Sequence, residues 1–230
     1  YCSDQQRFDT IGALGNPHVH TPRLDQLIKS SVAFSHTYCQ TPICTPSRAS
    51  FLTGCYPSTL GVNGNGNDTF PKHYENRLIG NVLSKNGYDC GLVGKLHLAS
   101  PAGGGGVENR VEDGYRSFEY SHSSHGYDDY GHSYGEWLKS QGEKISSQQL
   151  DSPEENADKI QDPQEEYRLG AKLKSFAGLY EPTPESDNIP PLLHQTHWCT
   201  EKAKEFINKN RNEDQPWMLS VNTFDLDDLC

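Results

Sequence analysis

The stretch Glu75-Asn76-Arg77-Leu78-Ile79-Gly80-Asn81-Val82-Leu83-Ser84-Lys85-Asn86-Gly87-Tyr88-Asp89-Cys90-Gly91-Leu92-Val93 decides the fold. Leu78, Ile79, Val82 and Leu83 recur at the spacing of one helical face, which predicts a helix over 75–86 with those side chains inward. Gly87 suits its C-terminal cap. The apolar run 88–93 then reads as a buried strand. A helix linked tightly to a buried strand is the signature of a mostly parallel sheet flanked by helices, an α/β fold. Working outward, Thr21 is a candidate N-cap with Pro22 at the first helical position, and Leu24, Leu27 and Ile28 share a face. Val32-Ala33-Phe34 is a candidate short strand. Order resumes near Thr196, where Trp198, Ala203, Phe206 and Ile207 line a helix ahead of the buried strand Trp217-Met218-Leu219-Ser220-Val221. Tyr1-Cys2-Ser3 reads as the end of a strand whose beginning precedes the chain.

Between these regions, 101–190 has a different character. It opens on Gly103-Gly104-Gly105-Gly106, passes through a His-, Tyr- and Gly-rich stretch over 122–134 and a charged, Gln-rich stretch over 141–166, and closes on Pro182, Pro184, Pro190 and Pro191. It reads as a long polar insertion on the rim of the sheet, with one helix near 164–176. His122, His125 and His132 are read as part of a solvated Tyr/His loop in preference to a metal site. The 230 residues suffice for one large domain or two small ones. A mean hydropathy of -0.79 places some segments outside any core. The formal charge of -11 argues against nucleic acid and anionic membranes as partners. An anionic substrate would need a local cationic pocket. No apolar run is long enough to cross a bilayer. The seven cysteines are irregularly spaced and contain no Cys-x-x-Cys pair, so those other than Cys44 are expected to be buried thiols and to mark no compartment, periplasmic, secreted or cytoplasmic.

The most informative chemistry lies in Cys44-Thr45-Pro46-Ser47-Arg48-Ala49-Ser50-Phe51-Leu52-Thr53-Gly54. Pro46 fits the first turn of a helix and Gly54 its end. Cys44 is therefore expected just before a helix N-terminus, where free N–H groups and the positive dipole end favour an anion. Arg48, one turn further in, adds forked donors for sulfate or phosphate oxygens. Two more segments fall where strands should end, the edge at which open α/β sheets gather ligands. They are Ser3-Asp4-Gln5-Gln6-Arg7 and Gly94-Lys95-Leu96-His97-Leu98. Lys95 and His97 alternate along an extended chain and are expected to face one side.

The Cys44 segment resembles the sulfatase signature Cys-x-Pro-Ser-Arg-x-x-x-Leu-Thr-Gly at every fixed position. Gly15-Asn16-Pro17-His18-Val19-His20-Thr21-Pro22, Tyr56-Pro57, Gly61-Val62 and 219–225 resemble further family segments. The resemblance is strong over 1–100, slight over 101–190 and moderate over 195–225. It implies an alkaline phosphatase-like α/β fold. It implies oxidation of Cys44 to formylglycine by a maturation enzyme. It makes Asp4 and Gln5, with Cys44, ligands of a divalent cation, Ca²⁺ first and Mg²⁺ or Mn²⁺ next. It places Lys95 and His97 on the sulfate, with His97 either a ligand or the acid that protonates the leaving alcohol.

In that chemistry one hydroxyl of the hydrated aldehyde attacks sulfur and the other lets the enzyme expel sulfate. The implied substrate is a sulfated small molecule or carbohydrate, with polysaccharide sulfates mildly preferred. Complete sulfatases are about twice this length, and after Asp225 this chain departs from the family pattern. The expectation is therefore an N-terminal part of the catalytic domain over 1–230, without the C-terminal domain and with little activity of its own. The alternatives are a phosphonate monoester or phosphodiester hydrolase of the same superfamily and an inactive truncated sulfatase.

Overall fold

The computed structural model describes residues 1–66, 70–100, 107–122, 132–149 and 192–224. The tetraglycine run, the helix expected near 164–176, His125, Asp225 and Cys230 lie outside them. Four strands form one parallel sheet: β1 (Cys2–Ser3), β2 (Asp89–Gly94), β3 (Ser117–Tyr120) and β4 (Trp217–Thr223), in the spatial order β1-β4-β2-β3. The helices are α1 (Pro22–Lys29), α2 (Cys44–Thr53), α3 (Pro57–Leu60), α4 (Ile79–Lys85), α5 (Ser133–Gln149) and α6 (Gln195–Asn210).

β2 is central, and all of its residues are buried. Its side chains alternate between two apolar clusters, as the pleat requires. Cys90 and Leu92 pack with Ala49 and Leu52 of α2, Leu60, Leu78 and Tyr115 on one face. Val93 packs with Tyr134 and Leu138 of α5, Trp198 and Cys199 of α6, and Leu219 and Val221 of β4 on the other. Covering both faces with helices is what a parallel sheet needs, because neither face then meets water. It also explains the apolar run Cys90-Gly91-Leu92-Val93 within β2.

Several expectations change. The helix expected over 75–86 is split into a 3-10 turn at Lys72–Arg77 and α4, because Leu78 takes an extended backbone (φ -60°, ψ 128°) between them. Leu78 is buried, whereas Ile79 and Val82 point outward. Gly87, at φ +87°, closes this unit as expected. Val32 and Phe34 form no strand and are exposed, and α1 buries none of its side chains. β4 is half-buried over its first part, with Trp217 at the rim. The stretch expected to lie outside the core contributes β3 and α5 to it. Cys90 and Cys199 are buried thiols, but Cys39 is exposed.

β2 ends at Gly94, whose φ of +95° and contact with β4 leave no room for a side chain. An added Cβ would overlap the Asn222 carbonyl oxygen. Gly94→Ala should therefore lower stability by about 2–4 kcal/mol in urea unfolding. Gly61→Ala, with φ +71° but open space around it, should cost only about 1 kcal/mol.

Candidate active site

Three strand ends meet at the carboxyl edge of the sheet. Asp4 follows β1, Lys95 follows β2, and Asn222 and Phe224 lie at the end of β4. α2 runs in from the side with Cys44 as its first residue and Arg48 one turn on. Asp4, Arg48 and Lys95 are all buried. Arg48 Nη2 donates to Asp4 Oδ1 at 3.1 Å, and Lys95 Nζ pairs with Asp4 Oδ2. Arg48 Nη1 also donates to the Lys95 carbonyl oxygen at 2.8 Å, and Asn222 Nδ2 donates to the same oxygen at 2.8 Å. Lys95 Nζ lies 3.6 Å from Cys44 Sγ and 4.0 Å from the centre of the Phe224 ring.

Among the described residues, one carboxylate shared by two cations leaves a positive charge in excess, beside a cysteine. Burial pushes the Asp4 carboxyl up, but Arg48 and Lys95 outweigh it and hold the pKa below the ordinary 3.8. Such a cluster is suited to a tetrahedral oxyanion.

The α2 terminus supplies its field more than its donors. Thr45 N–H is taken up by Asn65 Oδ1 at 3.0 Å, Ser47 N–H bonds the Ile43 carbonyl at 3.0 Å, and Pro46 has no N–H. Gly54 ends the helix in the left-handed region, as its position predicts.

His97 joins the site by a different route from the one expected. The chain leaves the strand at Gly94 and turns, with His97 itself at φ +55°. Burial, the adjacent His122 and the charges of Lys95 and Arg48 push its imidazole down to about 3, against the pull of Asp4. It is therefore neutral at pH 7. Its Nδ1 is buried and has no hydrogen-bond partner among the described residues. Gln5 also holds a positive φ, of +48°, but is exposed.

As a cation site this set falls short. Among the described residues no three His, Cys, Asp or Glu side chains converge. Asp4, already paired with two cations, is far from the roughly six to eight oxygens that Ca²⁺ takes. The described residues fit an anion and do not make up a metal cage.

Sequence reasoning missed Glu108 and gave Asn222, Phe224 and His122 no part in the site, reading His122 as part of a solvated loop. Glu108 lies within the stretch read as a polar insertion, yet is buried and accepts the His97 and Leu98 N–H groups at 2.7 and 2.9 Å. His122 packs edge-on against His97, ring centres 4.2 Å apart. Of these, Asn222 and Phe224 carried a signal, as parts of the segment 219–225 that resembles a core strand of the family.

The parallel sheet, flanked by helices and carrying a cationic cluster and a helix-terminal cysteine at its carboxyl edge, is the α/β fold that the resemblance implies. The family model Sulfatase matches residues 2–224, and the chain belongs to that family. It is 41% identical to an ulvan-active sulfatase of Formosa agariphila over 96 residues, 42% of this chain and 18% of that protein. It is 36% identical to an arylsulfatase of Clostridium perfringens over 116 residues, 50% of this chain and 24% of that protein. Its fold resembles the crystal structure of a phosphonate monoester hydrolase of Agrobacterium radiobacter, with TM-score 0.60 and 23% identity, over 97% of this chain and 40% of that one. The matches span less than half the length of each of these relatives.

Asp4→Asn should cost about 3–5 kcal/mol, because it leaves Arg48 and Lys95 buried without their counter-charge. The depressed Asp4 pKa also sets a sign. Its contribution is present above the unfolded value and is lost as pH falls through the folded one. Urea midpoints should thus drop on acidification below pH 3.8, and drop less steeply in Asp4→Asn.

Proposed function

We propose that this chain is the N-terminal part of the catalytic domain of a sulfuric ester hydrolase, with Cys44 as the precursor of its nucleophile. The observation that carries this reading is the buried cluster of Asp4, Arg48 and Lys95, with Lys95 Nζ 3.6 Å from Cys44 Sγ. Family membership supports the formylglycine at Cys44. When present, that group supplies a hydrated aldehyde, one hydroxyl to attack sulfur and a second to let sulfate leave.

The chain's own residues do the rest. Arg48 and Lys95 hold the sulfate oxygens and neutralise charge that develops on them. Asp4 keeps both cations in place, and Phe224 covers the ammonium. The neutral state of His97 at pH 7 speaks for a hydrogen-bonding contact to sulfate over a general acid, since an acid must hold its proton at working pH. A divalent ion beside Asp4 and Gln5, as the family resemblance implies, would draw further oxygen ligands from outside the described residues. No step above depends on it.

The substrate class is a sulfate monoester of a small molecule or carbohydrate, since the curated relatives include both an ulvan-active enzyme and an arylsulfatase. A maturation enzyme is the implied protein partner.

The test is co-expression of the chain with a formylglycine-generating enzyme, followed by mass spectrometry of the Cys44 peptide. The peptide should be lighter than the cysteine form, and the Cys44→Ala chain should show no such change. An unmodified Cys44 peptide would sink the nucleophile assignment. Turnover of an aryl phosphonate monoester in preference to an aryl sulfate would replace the sulfatase reading with that of a phosphonate hydrolase.

A further inference from the structure

Residues 95–99 are all buried, although they lie beyond the strand. Buried backbone N–H groups require partners. Lys95 N–H reaches the Asn222 carbonyl at 3.0 Å. His97 and Leu98 N–H reach the two oxygens of Glu108, at 2.7 and 2.9 Å. A left-handed backbone at a residue such as His97 costs about 1–3 kcal/mol and persists only where its surroundings enforce it. Glu108 is the enforcing group, clamping the turn on both sides of its peptide unit.

The same carboxylate reaches the ring of His97 by a second path. Tyr120 O–H donates to Glu108 Oε2 at 3.0 Å, and its oxygen lies 3.1 Å from His122 Nδ1. A phenol has one proton, so toward His122 it accepts, and His122 Nδ1 carries the hydrogen. The His122 backbone N–H donates to His132 Nδ1 at 3.2 Å, which places the proton of neutral His132 on Nε2. His122, oriented in this way, meets the His97 ring at 80°.

We propose that Glu108 is a positioning residue for His97, fixing its backbone directly and its ring through Tyr120 and His122. This rests on the reading that His97 faces the sulfate group. The charged and titratable groups around His97 are His122 against its ring, Lys95, Arg48 and Asp4 within the site, and Glu108 at its backbone.

Histidine side-chain ¹⁵N NMR on the 230-residue chain tests it. In the wild type, His122 should show the Nδ1–H tautomer and His97 should stay neutral down to about 3. Tyr120→Phe keeps the bonds from Glu108 to the turn and, among the described residues, cuts only the path to the ring. It should redistribute the His122 proton between its nitrogens and shift the His97 ring resonances. Glu108→Gln sets an amide donor against one backbone N–H and should speed hydrogen exchange at His97 or Leu98. An unchanged His122 tautomer and unmoved His97 ring resonances in Tyr120→Phe would overturn the proposal, even if Glu108→Gln fails to fold. Inorganic sulfate added to the wild type separates the two readings. If His97 resonances do not move while the Tyr120→Phe response is present, the sulfate contact is refuted and the positioning role stands.

Discussion

Everything at the carboxyl edge depends on one carboxylate. Asp4 is bound by Arg48 on one oxygen and Lys95 on the other, and these residues come from three separate segments of the chain. Removing charges from water is expensive, and the cost is offset only if partners and hydrogen bonds are all in place. Here they are. Arg48 Nη1 donates to the Lys95 carbonyl, and Asn222 supplies a second donor to that oxygen. The ion cluster thereby joins β1, α2, the end of β2 and β4, and it sets where Cys44 stands.

The cluster is what would let an acidic protein take an acidic ligand, as the proposed function requires. The overall charge of -11 repels sulfate at long range. Among the described residues of the site, however, two cations face one anion in a buried setting, where their field is poorly screened. The cysteine at the first position of α2 adds the positive end of the helix to that field. In the proposed function, the neutral His97 would contribute hydrogen bonding without adding charge. The arrangement separates the groups that hold charge, Arg48 and Lys95, from the group that is shaped by packing, His97.

Much of this was legible in the sequence because it rests on local signals. Gly54 and Gly87 terminate helices by their backbone conformation, and β2 announces itself by a run that both faces of the sheet bury. Asp4, Arg48 and Lys95 were legible as members of one site through motif resemblance, and they do converge. What was hidden depends on tertiary packing. Periodicity gave 75–86 a single face, but it does not reveal that Leu78 leaves the helical backbone and so turns Ile79 and Val82 outward. β3, Ser117-Phe118-Glu119-Tyr120, is a four-residue alternation inside a polar stretch, and only its pairing with β2 makes it a strand. Glu108 looks like a surface residue until the turn that carries His97 is folded against it.

The central claim is that this buried cluster is an anion pocket. Calorimetric titration of inorganic sulfate into the 230-residue chain, at low ionic strength and with Lys95→Met alongside, tests it most directly. The account predicts saturable one-site binding that weakens by about tenfold or more when the ammonium is removed. Equal affinity in the two proteins, or no binding to the wild type, would contradict it.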